Sequence, residues 1–136
     1  MPDDTYEVSQ GSSNCLAIII IPETHNDKKV TKIKESGFEN CDKLLNISFS
    51  NTIINIGENA FNGCESLIDI IFSDSIKNIG NNAFAGCSSL KSLTLPSNIA
   101  SMPDLYLKCF KDCSIKEIKI LPGAKVIGDS LFYGCI

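Results

Sequence analysis

Apolar residues recur along this chain on a fixed beat. Phe38, Phe61, Phe84, Phe110 and Phe132 each stand three residues before a cysteine: Cys41, Cys64, Cys87, Cys113 and Cys135. The first three cysteines are 23 and 23 residues apart, the next gap is 26 and the last is 22. The longer gap reflects an insertion in Pro103–Lys108, and the shorter one a deletion after Cys113. Further columns keep the same beat: Leu44, Leu67, Leu90 and Ile115; Ile47, Ile70, Leu93 and Ile118; Phe49, Phe72, Leu95 and Ile120; and Ile56, Ile79, Met102 and Ile127. Three members of the last column are followed by Gly57, Gly80 and Gly128. The unit reads L-x-x-I-x-F-x-x-x-I-x-x-I-G-x-x-A-F-x-x-C. Its first half puts three apolar groups on one side of a short extended segment, with polar residues between them. This predicts strands at 16–22, 44–50, 67–73, 90–96 and 115–121.

Fixed-period self-similarity is the mark of a repeat architecture. A 23-residue beat is too short for paired helices, which need about 33 or 34 residues, and falls in the leucine-rich-repeat range of roughly 20–29. The expected fold is an α/β-type repeat solenoid with short parallel strands, about 23 residues per coil and little helix. One such domain spans 1–136. Residues 1–15 are read as a capping hairpin, because Thr5–Val8 alternates weakly before Gly11-Ser12-Ser13-Asn14. Residues 16–136 are read as about five coils, the last incomplete because the chain stops at Ile136, before the strand expected after Cys135. An incomplete first copy uses Leu16, Ile19 and Ile21, and the polar stretch Thr24–Lys28 reads as a surface loop. Within each coil, Ile76–Ile79 and its equivalents point two more apolar groups inward. Gly80 through Phe84 makes a turn or one turn of helix, the glycine serving a bend with positive φ and the Phe plugging the core.

The segments Ile56-Gly57-Glu58-Asn59-Ala60-Phe61-Asn62-Gly63-Cys64 and Ile79-Gly80-Asn81-Asn82-Ala83-Phe84-Ala85-Gly86-Cys87, with the strand Ser89-Leu90-Lys91-Ser92-Leu93-Thr94-Leu95-Pro96, resemble the BspA-like leucine-rich repeat family. The resemblance covers roughly residues 16–136. It implies a surface protein of the kind found in bacteria and parasitic protists, mediating adhesion to host matrix or cells. Two departures stand out: the Met102–Lys108 insertion, and the missing strand after Cys135. The latter fits a fragment of a longer array, or a sheet completed on another chain.

Composition narrows the chemistry. All 12 basic residues are Lys, against 16 acidic ones, for a net charge of −4. A chain with no Arg and no basic stripe is poorly suited to nucleic acid. The longest apolar run, Leu16–Ile21, is far short of a membrane span of roughly 20 residues. Met1-Pro2-Asp3-Asp4 has no basic leader character and no apolar stretch follows within the first fifteen residues. The compartment is therefore open from the residues, and the resemblance implies the cell surface or secretion. Seven cysteines cannot all pair within one chain. The column cysteines read as small buried residues stacked rung on rung. Cys15 and Cys109 fall off the column and are read as exposed or reactive.

No metal set is expected, since no second Cys pair accompanies Cys109 and Cys113 and the only His is His25. No cofactor or catalytic group is expected either: His25, in a polar loop, is a poor base, and Asp3-Asp4, Glu65, Asp69 and Asp74 are ordinary surface acids. The sequon Asn46-Ile47-Ser48 lies on a strand.

What remains is the outward ladder face: Asn46, Ser48, Asp69, Ile71, Ser92, Thr94, Glu117 and Lys119, with Ile18 and Ile20 on the incomplete first coil. Solenoids bind through such faces. The expected function is a non-enzymatic protein-interaction module, by resemblance a surface adhesion protein with a host or matrix protein as partner. The alternative is a self-assembling structural repeat, an oligomer through the open solenoid end, or an intracellular scaffold. About a dozen outward residues fall below the roughly 20–30 a side of a standard interface, so a single copy should bind weakly.

Overall fold

A computed structural model of the protein describes residues 5–10, 15–98 and 109–122. Ten short strands follow in chain order: β1 (Tyr6–Val8), β2 (Ile18–Ile20), β3 (Thr24–His25), β4 (Lys28–Ile33), β5 (Asn46–Ser48), β6 (Asn55–Ile56), β7 (Asp69–Ile71), β8 (Asn78–Ile79), β9 (Ser92–Leu95) and β10 (Glu117–Ile120). Each predicted ladder strand is present, shorter than its expected span by one or two residues at each end. The chain winds as a parallel β-solenoid of about 4 turns. One wall is the ladder β2-β5-β7, followed by the pair β9-β10; the second is β1-β4-β6-β8. Among the described residues there is no α-helix, and of the two forms expected at Gly80–Phe84, a turn or one turn of helix, the structure shows the turn.

Register is what the repeat predicts. Ile19, Ile47 and Ile70 pair in line on the first wall, and Ile33, Ile56 and Ile79 on the second. A one-residue slip would turn every buried side chain to water, so the stacking of like on like holds the alignment. Leu44, Leu67 and Leu90 are fully buried, as are Ile53, Ile76, Phe61, Phe84 and Phe110. The phenylalanines form two files. Phe38, Phe61, Phe84 and Phe110 stack with centroids 5.2, 5.1 and 5.4 Å apart. Phe49 and Phe72 stack at 5.8 Å and meet Phe61 and Phe84 edge-on. Stacked and edge-on pairs are the preferred aromatic geometries.

The turn wall is also tied coil to coil. The Phe38, Phe61 and Phe84 N–H groups donate to Ala60, Ala83 and Cys109 carbonyls at 2.7, 2.7 and 2.9 Å. At the corner after each ladder strand, Thr52 and Ser75 hydroxyls donate to the Val30 and Ile53 carbonyls of the preceding coil at 2.7 and 2.8 Å. These bonds satisfy backbone groups that a sheet alone would leave unpaired at its bends.

Several expectations are corrected. Residues 5–10 do not form a hairpin with the first coil. β1 pairs in parallel with β4, and the Gln10 N–H donates to the Gly37 carbonyl at 2.8 Å. That bond matches the ones made by the Phe column, so Gln10 stands where a Phe would stand, and the segment is the second half of a preceding coil. The Thr24–Lys28 loop is a hairpin, β3 pairing antiparallel with β4 across Asn26 and Asp27, both at positive φ, the conformation that tight hairpins require. The glycine argument also changes. Positive φ occurs at Ser36, Asn59 and Asn82, and at Asn40, Gly63, Gly86 and Asp112. Gly57 is required by close approach instead: a Cβ there would meet the Glu35 nitrogen at 2.6 Å and the Ile33 carbonyl at 2.8 Å. The Met102–Lys108 insertion and the columns at Met102, Ile127, Phe132 and Cys135 lie outside the described residues.

Candidate functional site

The parallel register turns alternate side chains to one face. Ile18, Asn46 and Asp69 align across β2, β5 and β7, as do Ile20, Ser48 and Ile71. Across β9 and β10, Ser92 aligns with Glu117 and Thr94 with Lys119. All eight residues expected on the outward face therefore lie on the ladder strands in aligned columns. Asn46 and Ser48 are half-buried, and the other six are exposed. Ser92, Thr94, Glu117 and Lys119 line a shallow groove of about 500 Å³, floored by Leu93 and Ile118.

A third column was not anticipated. The Leu45, Ile68 and Lys116 N–H groups donate to the Ala17, Leu45 and Lys91 carbonyls at 2.7, 2.9 and 2.7 Å. The column Ala17, Leu45, Ile68, Lys91, Lys116 therefore flanks the other two. Leu45 and Ile68 are exposed. Its signal was available: each residue follows its inward Leu or Ile by one position. The face thus divides. Its first half presents Ile18, Ile20, Leu45, Ile68 and Ile71 around exposed Asp69 and half-buried Asn46 and Ser48; its second presents Lys91, Ser92, Thr94, Lys116, Glu117 and Lys119.

The cysteines behave differently from expectation at two positions. Cys15 is disulfide-bonded to Cys41, with Cα atoms 5.5 Å apart, so it joins the column. Cys109 is buried and stands in the column of Ala60 and Ala83, directly before its Phe. Among the described residues, the other column members stack as expected. The thiols of Cys64, Cys87 and Cys113 donate to the carbonyls of Phe38, Phe61 and Phe84 at 3.2, 3.5 and 3.2 Å. Burial pushes the Cys64 and Cys109 thiols up to about 12. Cys87 is held protonated first by its hydrogen bond with Cys113, then by burial. Buried protonated thiols are inert as nucleophiles and metal ligands. Among the described residues no group of His, Cys, Asp and Glu is arranged to hold a metal, and no helix is long and apolar enough to cross a membrane.

Two inward expectations also fail, both at ends of the described stack. Leu16 is 69% exposed and Ile118 is 43% exposed. Each belongs to an inward column, but at an end of the described stack it has a like neighbour on one side alone among the described residues.

This coil geometry has known counterparts. The BspA type leucine rich repeat region matches residues 12–136 in 6 copies. The chain belongs to the BspA-type leucine-rich repeat family. A leucine-rich repeat protein from Bacteroides capillosus is similar over 88% of this chain and 88% of its own, with 25% identity and a TM-score of 0.71. One from Bacteroides ovatus is 39% identical over 82% of this chain, with a TM-score of 0.63. A leucine rich cell surface protein from Faecalibacterium prausnitzii is 24% identical over 91% of this chain, with a TM-score of 0.63, and shares the fold. The chain spans 30% of the B. ovatus protein and 40% of the F. prausnitzii protein. Among curated proteins none matches. Family membership accounts for the repeat columns.

Proposed function

We propose that this BspA-type chain is a non-enzymatic protein-interaction module of the cell surface or secreted space, binding a host or matrix protein through its outward ladder face. The observation that carries the reading is the face itself: columns in strict register, rich in exposed Ile and Leu around Asp69 in the first half and in Lys, Glu and hydroxyl groups in the second. The inward columns repeat like residues from coil to coil, whereas the outward columns through Ile18 and Ile20 change residue from each rung to the next. Two further observations support the setting. The Cys15–Cys41 disulfide is of a kind that persists in oxidising compartments, and the similar F. prausnitzii protein is a cell surface protein.

A face this small favours affinities on the order of micromolar for one copy, raised by clustering. The test is surface plasmon resonance of the streptavidin-tetramerised chain over purified extracellular-matrix proteins. Saturable binding to one of them is expected, weakened at least about tenfold by Ile71→Lys with Thr94→Lys. Both positions are exposed, so the fold tolerates the change. Absence of binding across the panel, or binding that the double variant leaves intact, refutes the reading.

A further inference from the structure

The spacing of the cysteine file groups its members. Cys15 and Cys41 are 26 residues apart and bonded. Cys41 to Cys64 and Cys64 to Cys87 are 23 and 23, and Cys87 to Cys113 is again 26. Both long intervals hold extra residues: the β3–β4 hairpin across Asn26 and Asp27 in the first, and the Met102–Lys108 insertion in the second. A coil with an insertion departs from the neighbour-on-neighbour repetition that aligns the regular coils. In the first such coil a covalent bond closes the file across it. In the second, Cys87 and Cys113 stand at the matching positions as free thiols.

Their geometry is that of a pair. The Phe84 and Gly86 N–H groups donate to the Cys109 and Lys111 carbonyls at 2.9 and 2.8 Å, so the backbone leading into Cys87 lies against the backbone leading into Cys113. Chains bonded in this way run about 4.8 Å apart, inside the roughly 4.4–6.8 Å between Cα atoms that a disulfide accepts. Cys15 and Cys41 span 5.5 Å. Cys64 and Cys87 are brought together by the same kind of bond, the Gly63 N–H donating to the Ala85 carbonyl at 2.8 Å, so backbone spacing alone does not choose a partner for Cys87. The side chains do. The Cys87 thiol is hydrogen-bonded with that of Cys113, whereas the Cys64 thiol bears on it through charge without a hydrogen bond and donates to the Phe38 carbonyl at 3.2 Å.

We propose that Cys87 and Cys113 form a second disulfide site, oxidised by a small disulfide of the glutathione type while the coil between them closes. The two thiols give up two protons and two electrons and their sulfurs join. The oxidant's S–S bond takes both and breaks into two thiols. The timing follows from burial: both side chains are enclosed in the folded coil, where a protonated thiol is inert. The file then runs as a bonded pair, the single Cys64, and a second bonded pair. The new bond fastens the coil ending at Cys113 to the one before it, at the place where the insertion interrupts the repeat. Cys15–Cys41 does the same for the coil that carries the hairpin. The site lies in the interior and stands independently of ladder-face binding.

The test is refolding of the reduced full chain from urea in glutathione buffers stepped from the reduced to the wholly oxidised form. Free thiols are then capped with N-ethylmaleimide and the chain is cut with trypsin. Cleavage after lysine puts all seven cysteines on separate peptides, so each linkage is read directly by mass spectrometry. The expected product joins residues 78–91 to residues 112–116, is lost on reduction, and leaves Cys64, on residues 44–77, capped. The urea midpoint of the oxidised parent should also drop further on reduction than that of Cys87→Ser, which keeps Cys15–Cys41 alone. The proposal is overturned if no buffer joins Cys87 to Cys113, or if the two midpoint drops are equal. It is overturned as well if Cys87 joins Cys64, or Cys113 joins Cys109 or Cys135, in greater yield.

Discussion

Phe84 sits at the centre of the aromatic core and gives the sharpest energetic test. It is fully buried, stacks on Phe61 at 5.1 Å and on Phe110 at 5.4 Å, and receives Phe72 edge-on at 5.6 Å. Phe84→Ala removes a whole ring from a packed file, which costs about 3–5 kcal/mol from lost transfer energy and the cavity left behind. Three ring contacts, each worth about 0.5–1.5 kcal/mol beyond area, place the loss at the upper end of that range. Phe38→Ala should cost less, because its one ring neighbour among the described residues is Phe61. A domain of this size is stable by about 5–15 kcal/mol, so the Phe84 change takes a third or more of the total. Because each coil touches only its neighbours, the same change also uncouples the two halves of the solenoid. Urea unfolding followed by far-UV circular dichroism measures both variants, and Thr94→Ala, on the exposed face, serves as the control at under about 0.5 kcal/mol. A double-mutant cycle between Phe61 and Phe84 should return a coupling of about 1 kcal/mol. A Phe84→Ala loss below about 1.5 kcal/mol, or one no larger than that of Phe38→Ala, refutes the stacked-file account.

Cys109→Ala restores the residue found at Ala60 and Ala83 and tests the buried thiol. The folded thiol titrates near 12 against an ordinary 9.0, so the unfolded chain loses its proton first and stability falls as pH rises from about 9 towards 12; the variant should flatten that fall in urea midpoints by up to about 1.4 kcal/mol per pH unit. Cys15→Ser opens a disulfide spanning 26 residues and should cost about 2–4 kcal/mol in the same assay under non-reducing conditions, with no difference from the parent in reductant. Gly57→Ala drives a methyl into the Glu35 and Ile33 backbone and should cost about 1–3 kcal/mol; a neutral result would show that the coils can separate at that turn.

The repeat columns made most of the interior legible before any coordinates. Leu44, Ile47, Phe61 and Cys64 recur at constant spacing, and constant spacing in a solenoid means stacking. The residues that escaped are those whose role depends on where a column ends or on which rung they occupy. Leu16 carries the right pattern, but among the described residues no rung lies above it. Cys15 precedes Leu16 by one residue whereas Cys41 precedes Leu44 by three, so a sequence register excludes it from the column that space places it in. Cys109 had a signal: it directly precedes Phe110, as Ala60 precedes Phe61. Val30 and Ile33 lie 23 residues before Ile53 and Ile56, and following the beat backwards through the hairpin at Asn26 and Asp27 would have found β4. Gly57 looked like a turn glycine because the pattern shows where a glycine recurs but not whether torsion or proximity demands it.

The same reasoning separates stability from recognition. Inward columns hold like residues in every coil because each rung is the floor of the next, and a mismatch there is felt on both sides. Such columns cannot distinguish one partner from another. Outward positions escape that constraint, and they differ at every rung: Ile18, Asn46, Asp69, Ser92, Glu117 along one file and Ile20, Ser48, Ile71, Thr94, Lys119 along the next. The ends of the described stack are the other place where the constraint relaxes: among the described residues β2 has a neighbour on one side alone, whereas β4 lies between β1 and β6. Variation along the face and exposure at that edge both follow from one rule, that each coil is specified by its neighbours.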